Sequence, residues 1–185
     1  MRIVAGKFKG HSLATPKDQS IRPTSDRVRE SLFNILEHGV EGFELEGARV
    51  LDLFAGTGAL GLEALSRLAK YCLFIENAAA ARGIIRTNVE ALHLTGITKI
   101  WRRDATTLGP VGNVESFDLV FADPPYRKGL GERALLEARD MGWIKPGGIA
   151  VIEEHNDAVL DFPDGYEELD KRSYGDTQIV ILRSG

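Results

Sequence analysis

The chain reads as an α/β protein built on an open, mostly parallel sheet with helices on both faces. Three observations predict it. Beyond residue 48, short apolar runs alternate with stretches of helical periodicity, the pattern of repeated βαβ units. The first of those runs passes directly into the turn Gly56-Thr57-Gly58-Ala59-Leu60-Gly61 and then a helix. The last two are separated by Tyr174-Gly175-Asp176 with no helix, so the sheet closes on an antiparallel hairpin.

Taken in order, residues 1–24 form a basic N-terminal appendage. Its apolar pairs Ile3-Val4 and Ser12-Leu13, set apart by Gly6, Gly10 and basic residues, predict a short hairpin. Arg22-Pro23-Thr24-Ser25 then punctuates the chain, since the residue before proline avoids helix and Ser25 is a good N-cap. Val28, Leu32, Ile35 and Leu36 predict a helix that ends near Gly39. Residues 25–185 form one continuous domain. Within it, strands are expected over Arg49 to Leu53, Tyr71 to Glu76, Ile97 to Arg102, Phe117 to Ala122 and Ile149 to Glu154. Helices are expected over Ala59 to Lys70, Ala78 to Leu92 and Gly131 to Met141, and the closing hairpin over Glu167 to Arg172 and Gln178 to Leu182.

A chain of 185 residues with 43% apolar content is long enough for a self-sufficient core, burying roughly 70% of its unfolded surface. It lacks an apolar run of membrane-spanning length, and its first residues do not resemble a signal peptide, so a cytoplasmic protein is expected. One cysteine excludes an internal disulfide, and four scattered histidines show no zinc spacing, so no metal is expected. The net charge of −4 is unevenly spread. Residues 1–30 hold seven basic groups (Arg2, Lys7, Lys9, Lys17, Arg22, Arg27, Arg29) against Asp18, Asp26 and Glu30, which leaves the rest of the chain strongly acidic. A basic segment on an acidic body is able to track a phosphate backbone; a solvated terminus has the same composition.

Chemistry is expected beyond the carboxyl ends of the strands, where open α/β sheets bind ligands. In Asp52-Leu53-Phe54-Ala55-Gly56-Thr57-Gly58, the glycines permit a tight turn and close approach of a ligand to backbone N–H groups, while Gly61 lets the helix pack near the strand. The G-x-G-x-x-G spacing alone serves several nucleoside cofactors. Glu76, ending the next strand, is placed to accept from the two hydroxyls of an adenosine ribose. Asp52 at the mouth of the turn repels a pyrophosphate but suits a ligand carrying sulfonium and ammonium groups. Asp104-Ala105, past the third strand, offers an acceptor for an adenine amino group.

The sharpest signal is Asp123-Pro124-Pro125-Tyr126 after the fourth strand. Two prolines fix φ and remove two N–H donors, leaving carbonyl oxygens free to point into the site. Asp123 adds an acceptor and Tyr126 a planar face. A planar exocyclic amine needs these groups, donating to Asp123 and a backbone carbonyl while its ring stacks on Tyr126.

At these residues the sequence resembles the class I S-adenosylmethionine-dependent methyltransferases with a D-P-P-Y motif. Read outward, Met1 to Gly6 with Gly10, Arg22 to Leu36, Leu51 to Gly58 and Tyr174-Gly175-Asp176-Thr177 resemble the RsmD-type 16S rRNA (guanine-N2)-methyltransferases over nearly the whole chain. The resemblance implies a Rossmann-like, seven-stranded sheet with an N-terminal hairpin arm. It also implies methylation of one guanine amino group in 16S rRNA of the small ribosomal subunit or an assembly intermediate, by a protein expected to be monomeric. S-adenosylmethionine contacts are implied for the Gly56 turn, Glu76 and Asp104, with Asp123 to Tyr126 as the catalytic segment. Asn77 stands where a second acid is expected after Glu76; it offers the nucleoside a hydrogen bond without charge. Arg2, Lys7, Lys9, Arg22, Arg27 and Arg29 are the candidate phosphate contacts.

Three alternatives remain at this stage. D-P-P-Y also serves DNA adenine-N6 methylation, although no length is left for a target-recognition domain. An NAD-dependent oxidoreductase would use the same glycine spacing, against which Asp52 speaks. A non-catalytic RNA-binding assembly factor would keep the fold, but has no need of Asp123.

Overall fold

The computed structural model describes residues 1–17 and 24–185. Among the described residues, seven strands form one sheet in the order β3-β2-β1-β4-β5-β7-β6. They are β1 Arg49–Leu53, β2 Tyr71–Ile75, β3 Thr98–Trp101, β4 Phe117–Ala122, β5 Ile144–His155, β6 Tyr166–Tyr174 and β7 Thr177–Ser184. The first five run parallel to one another, and β7 runs antiparallel to both β5 and β6. Among the described residues the four α-helices are α1 Asp26–His38, α2 Ala59–Ser66, α3 Ala79–Ala91 and α4 Leu130–Asp140.

Alternation along the strands divides the core in two. Val50, Phe74, Leu119, Phe121, Val151 and Ile181 face α1, α2 and α3, while Leu51, Leu53, Ile75, Val120, Ile152 and Leu182 face α4 and Trp143. The N-terminal segment belongs to the first layer. Arg2 and Ser12 form an antiparallel bridge, and Ile3 and Leu13 insert into the core. The segment is fastened to α2: Val4 and Ala5 donate to Glu63 at 2.8 and 3.1 Å, and Lys7 donates to the Ser66 carbonyl at 2.8 Å.

Ser25 caps α1 as expected, its hydroxyl accepting from Val28 N–H. Helix α2 stops four residues before the sequence suggests, because Leu68 takes φ +74 and the Ala69 N–H turns back to the Ala64 carbonyl. Strand β5 starts five residues early, since Ile144 already pairs with Phe117 ahead of an irregularity in the ladder. A 3-10 turn, Thr95–Ile97, takes the place of the first residue expected in β3.

Register places the site. Leu53 pairs with Ala122 and Ala122 with Ile152, so Phe54 and Asp123, just past β1 and β4, stand beside Glu153 near the end of β5. His155 pairs with Thr177, bringing the β6–β7 turn to the same edge.

Candidate active site at the carboxyl edge of the sheet

The turn after β1 bends through three left-handed residues, Phe54 (φ +55), Gly56 (φ +58) and Gly58 (φ +81). Behind it, a Cβ on Gly61 would lie 2.5 Å from the Phe74 ring and 2.6 Å from Cys72 Sγ, so α2 seats against β2 only with glycine there. Ala55 N–H donates to Ile75 O at 3.1 Å, and Asn88 Nδ2 donates to Thr57 O at 3.1 Å, fixing the turn against β2 and α3.

Asp52 is buried, and one of its oxygens accepts from Gly61 N–H at 3.0 Å. Burial, reinforced by Glu76 and only partly offset by that N–H, pushes its carboxyl up to about 8. Glu76 is half-buried. Its two oxygens accept from Gly56 N–H at 2.8 Å and Ala78 N–H at 3.0 Å. Asn77 is exposed, and its backbone carbonyl accepts from Arg82 at 2.6 Å. Asp104 caps its own turn, one oxygen accepting from the Thr106 N–H and hydroxyl at 2.8 and 2.7 Å. Those two bonds hold its carboxyl below the usual range, and Ala105 is buried beside it.

Asp123 is half-buried opposite Glu153, with which its side chain is hydrogen-bonded. Withdrawal from water, then Glu153, then Asp52, push its carboxyl well above the ordinary range. Pro124 is buried and Pro125 exposed. Tyr126 is half-buried, with its ring edge-on to His155 at 5.8 Å. Its hydroxyl donates to Glu153 Oε1 at 3.1 Å and lies 3.0 Å from Thr177 Oγ1. Arg127 follows in a left-handed conformation (φ +63), its N–H on Glu154 at 2.9 Å and its guanidinium on Asp157 at 3.0 Å.

The structure thus gathers Asp52, Phe54 to Gly58, Glu76 and Asp123 to Tyr126 at one edge, with Asp104 and Ala105 past β3 on the same side. Sequence reasoning missed Glu153, Thr177 and Thr24, because they lie far from the motifs they touch. Of the basic candidates, Arg2, Lys7, Lys9 and Arg27 are exposed, and Arg22 lies outside the described residues. Arg29 must be corrected: its side chain is 0% exposed. Its guanidinium donates to Glu63 at 3.4 Å, Asp26 at 2.8 Å, Thr24 O at 3.3 Å and the Arg2 carbonyl. Its donors are committed within the protein, and it faces no phosphate. The spacing Arg29, Leu32, Phe33, Leu36 is the signal, for it puts Arg29 on the buried stripe of α1.

A parallel sheet with one antiparallel strand inserted beside its terminal strand, and a glycine turn leaving β1, defines a Rossmann-like class I methyltransferase fold. The solved structure of Escherichia coli yhhF superposes with a TM-score of 0.84 at 30% identity, covering 100% of this chain and 97% of that one. The family model described as Conserved hypothetical protein 95 matches residues 1–183, and the chain belongs to that family. Ribosomal RNA small subunit methyltransferase D of Haemophilus influenzae is 33% identical over 177 residues, covering 95% of this chain and 89% of its own. The protein of the same name in Escherichia coli K12 is 36% identical over 153 residues, covering 83% and 74%. The RsmD-type resemblance read from the residues is borne out.

Proposed function

We propose that the protein is a cytoplasmic, monomeric enzyme that transfers a methyl group from S-adenosylmethionine to the exocyclic N2 of a guanine in 16S rRNA, within the small ribosomal subunit or an assembly intermediate. One observation carries the reading: the register that sets Asp123 and Tyr126 beside the glycine turn of β1. A cofactor held by that turn and an amine held by Asp123 would meet between adjacent strands.

The residues present fit S-adenosylmethionine. Glu76 offers a carboxylate for the ribose hydroxyls, and Asp104 and Ala105 border the place for the adenine. Asp52 is a buried carboxyl whose hydrogen-bond partner is a backbone amide, the kind of group a cationic ligand stabilises. When bound, the cofactor supplies a methyl group made electrophilic by its sulfonium.

The chain's own residues do the rest. Asp123 and a carbonyl of the Pro124-Pro125 stretch accept from the two amine protons, which orients the nitrogen without a covalent intermediate. Burial pushes the Asp123 carboxyl up, and a carboxyl oxygen of Asp123 accepts from the amine and stabilises positive charge developing on it. Tyr126 covers the ring. The exposed Arg2, Lys7, Lys9 and Arg27 form the phosphate-tracking face of the N-terminal segment, with Arg22 assigned to it on sequence alone.

The test is transfer of labelled methyl to small subunits lacking the modification, with free rRNA and DNA in parallel and nucleoside analysis of the product. N2-methylguanosine on subunits is the expected result. Label on DNA adenine, or cofactor binding without transfer to any nucleic acid, overturns the proposal.

A further inference from the structure

The Tyr174-Gly175-Asp176-Thr177 turn and Glu153 have no part in the function above, yet they meet at Tyr126. Glu153, 7% exposed at the end of β5, accepts from the Tyr126 phenol through Oε1 at 3.1 Å and from the Thr24 hydroxyl through Oε2 at 2.8 Å. Its carboxylate also hydrogen-bonds Asp123. On the other side of the phenol lies Thr177 Oγ1, at 3.0 Å. The turn bearing Thr177 is itself held: Asn156 N–H donates to the Asp176 carbonyl at 2.6 Å, and the Tyr174 and Ser31 hydroxyls lie 2.5 Å apart.

A tyrosine that only stacks has no need of these partners, because water satisfies a half-exposed phenol. Here the hydroxyl is held between side chains of two strands, one of them bonded to the acid that receives the amine. We propose that Glu153 and Thr177 are positioning residues that fix the ring plane of Tyr126 through its hydroxyl, and that Glu153 ties this plane to Asp123 and to Thr24 before α1. The inference rests on the amine-methylating reading of the site. Burial and the Glu153 charge both push the phenol pKa up, so the hydroxyl stays a neutral donor at any working pH. A stacked base and its acceptor must agree in plane, and a misplacement of about 1 Å costs on the order of 100-fold in rate.

The experiment compares Thr177→Val, Thr177→Ser, Glu153→Gln and Tyr126→Phe by single-turnover transfer to unmodified small subunits, by the KM for subunits, and by 13Cζ-tyrosine NMR. The Tyr126 resonance is assigned by its loss in Tyr126→Phe. Thr177→Val is expected to lower the transfer rate about tenfold with KM within about twofold, Glu153→Gln about 30- to 100-fold, and Thr177→Ser to recover to within about threefold of wild type. Because Thr177 acts through the phenol, Thr177→Val adds nothing to Tyr126→Phe. The Tyr126 resonance shifts in Thr177→Val and Glu153→Gln whatever the turnover. Wild-type transfer by Thr177→Val, penalties that multiply with Tyr126→Phe, or an unmoved resonance overturns the inference. A wild-type protein inactive on every RNA overturns the functional reading itself, an outcome distinct from an active wild type matched by Thr177→Val.

Discussion

The two ends of the same strands solve opposite electrostatic problems. At the amino ends, charge is paired and covered. Arg49 lies over the rings of Tyr71 and Phe117 at 4.6 and 4.9 Å, its N–H donates to Asp118 at 2.8 Å, and Lys145 meets Asp118 at 3.0 Å. At the carboxyl ends, Asp52, Glu76, Asp123, Glu153 and Glu154 gather at one edge, Asp123 bonded to Glu153 and the others held by backbone amides and a hydroxyl. Collecting carboxyl groups in low dielectric is costly, and here it pushes Asp52 and Asp123 up towards their protonated forms. The amino edge pairs its charges with one another, and the acid-rich carboxyl edge is the one to which the proposed function assigns a cation and an amine.

Substitutions at both ends break or sharpen this contrast. Asp123→Ala is expected to lower single-turnover transfer by about 10³-fold with cofactor affinity within a few-fold. Asp118→Ala at the other end should keep the rate and lower only the melting temperature. Arg29→Ala leaves Glu63 buried beside Arg67 alone among cations and should cost about 3–5 kcal/mol in urea denaturation. Gly61→Ala drives a methyl into Phe74 and Cys72, costing about 1–3 kcal/mol by the same measurement.

Asp52 gives the pH test. Its native carboxyl holds a proton to about 8, whereas an unfolded one releases it near the ordinary value. Between the two, the native state binds more protons, so its contribution to stability falls as pH rises through that window. Asp52→Asn keeps an acceptor for the Gly61 N–H and should flatten melting temperature against pH. In the wild type, S-adenosylmethionine binding should release protons, read by calorimetry in buffers of different ionisation enthalpy. Smallest of all, neutralising Lys7, Lys9 and Arg27 together should reduce the salt slope of RNA binding by about one unit for each phosphate they engage.

What the sequence discloses follows contact distance. Strands β1, β2 and β4 are legible because parallel strands buried on both faces are continuous apolar runs. The glycine turn and Asp123 to Tyr126 are legible because the residues that cooperate adjoin in the chain. Helix α2 is read too long because Arg67 to Lys70 are ordinary helix formers, and nothing local announces that Leu68 will turn left-handed. Glu153 and Thr177 touch Tyr126 across 27 and 51 residues, which only the register of β4, β5 and β7 determines. Arg29 is misread for a different reason: charge is a poor guide to exposure when a partner such as Glu63 waits 34 residues away.

The fastening of the N-terminal segment also sets a timetable. Its amides at Val4 and Ala5 wait for Glu63, and that of Ala14 for Asn88, 74 residues further on. At about 5–20 residues per second, Ala14 waits roughly 4–15 seconds for its Asn88 partner to be made. During synthesis this positively charged stretch is a free polyelectrolyte, and it becomes part of a wall only when the third helix arrives. A nascent chain arrested before residue 63 would hold Arg29 with Asp26 but without Glu63.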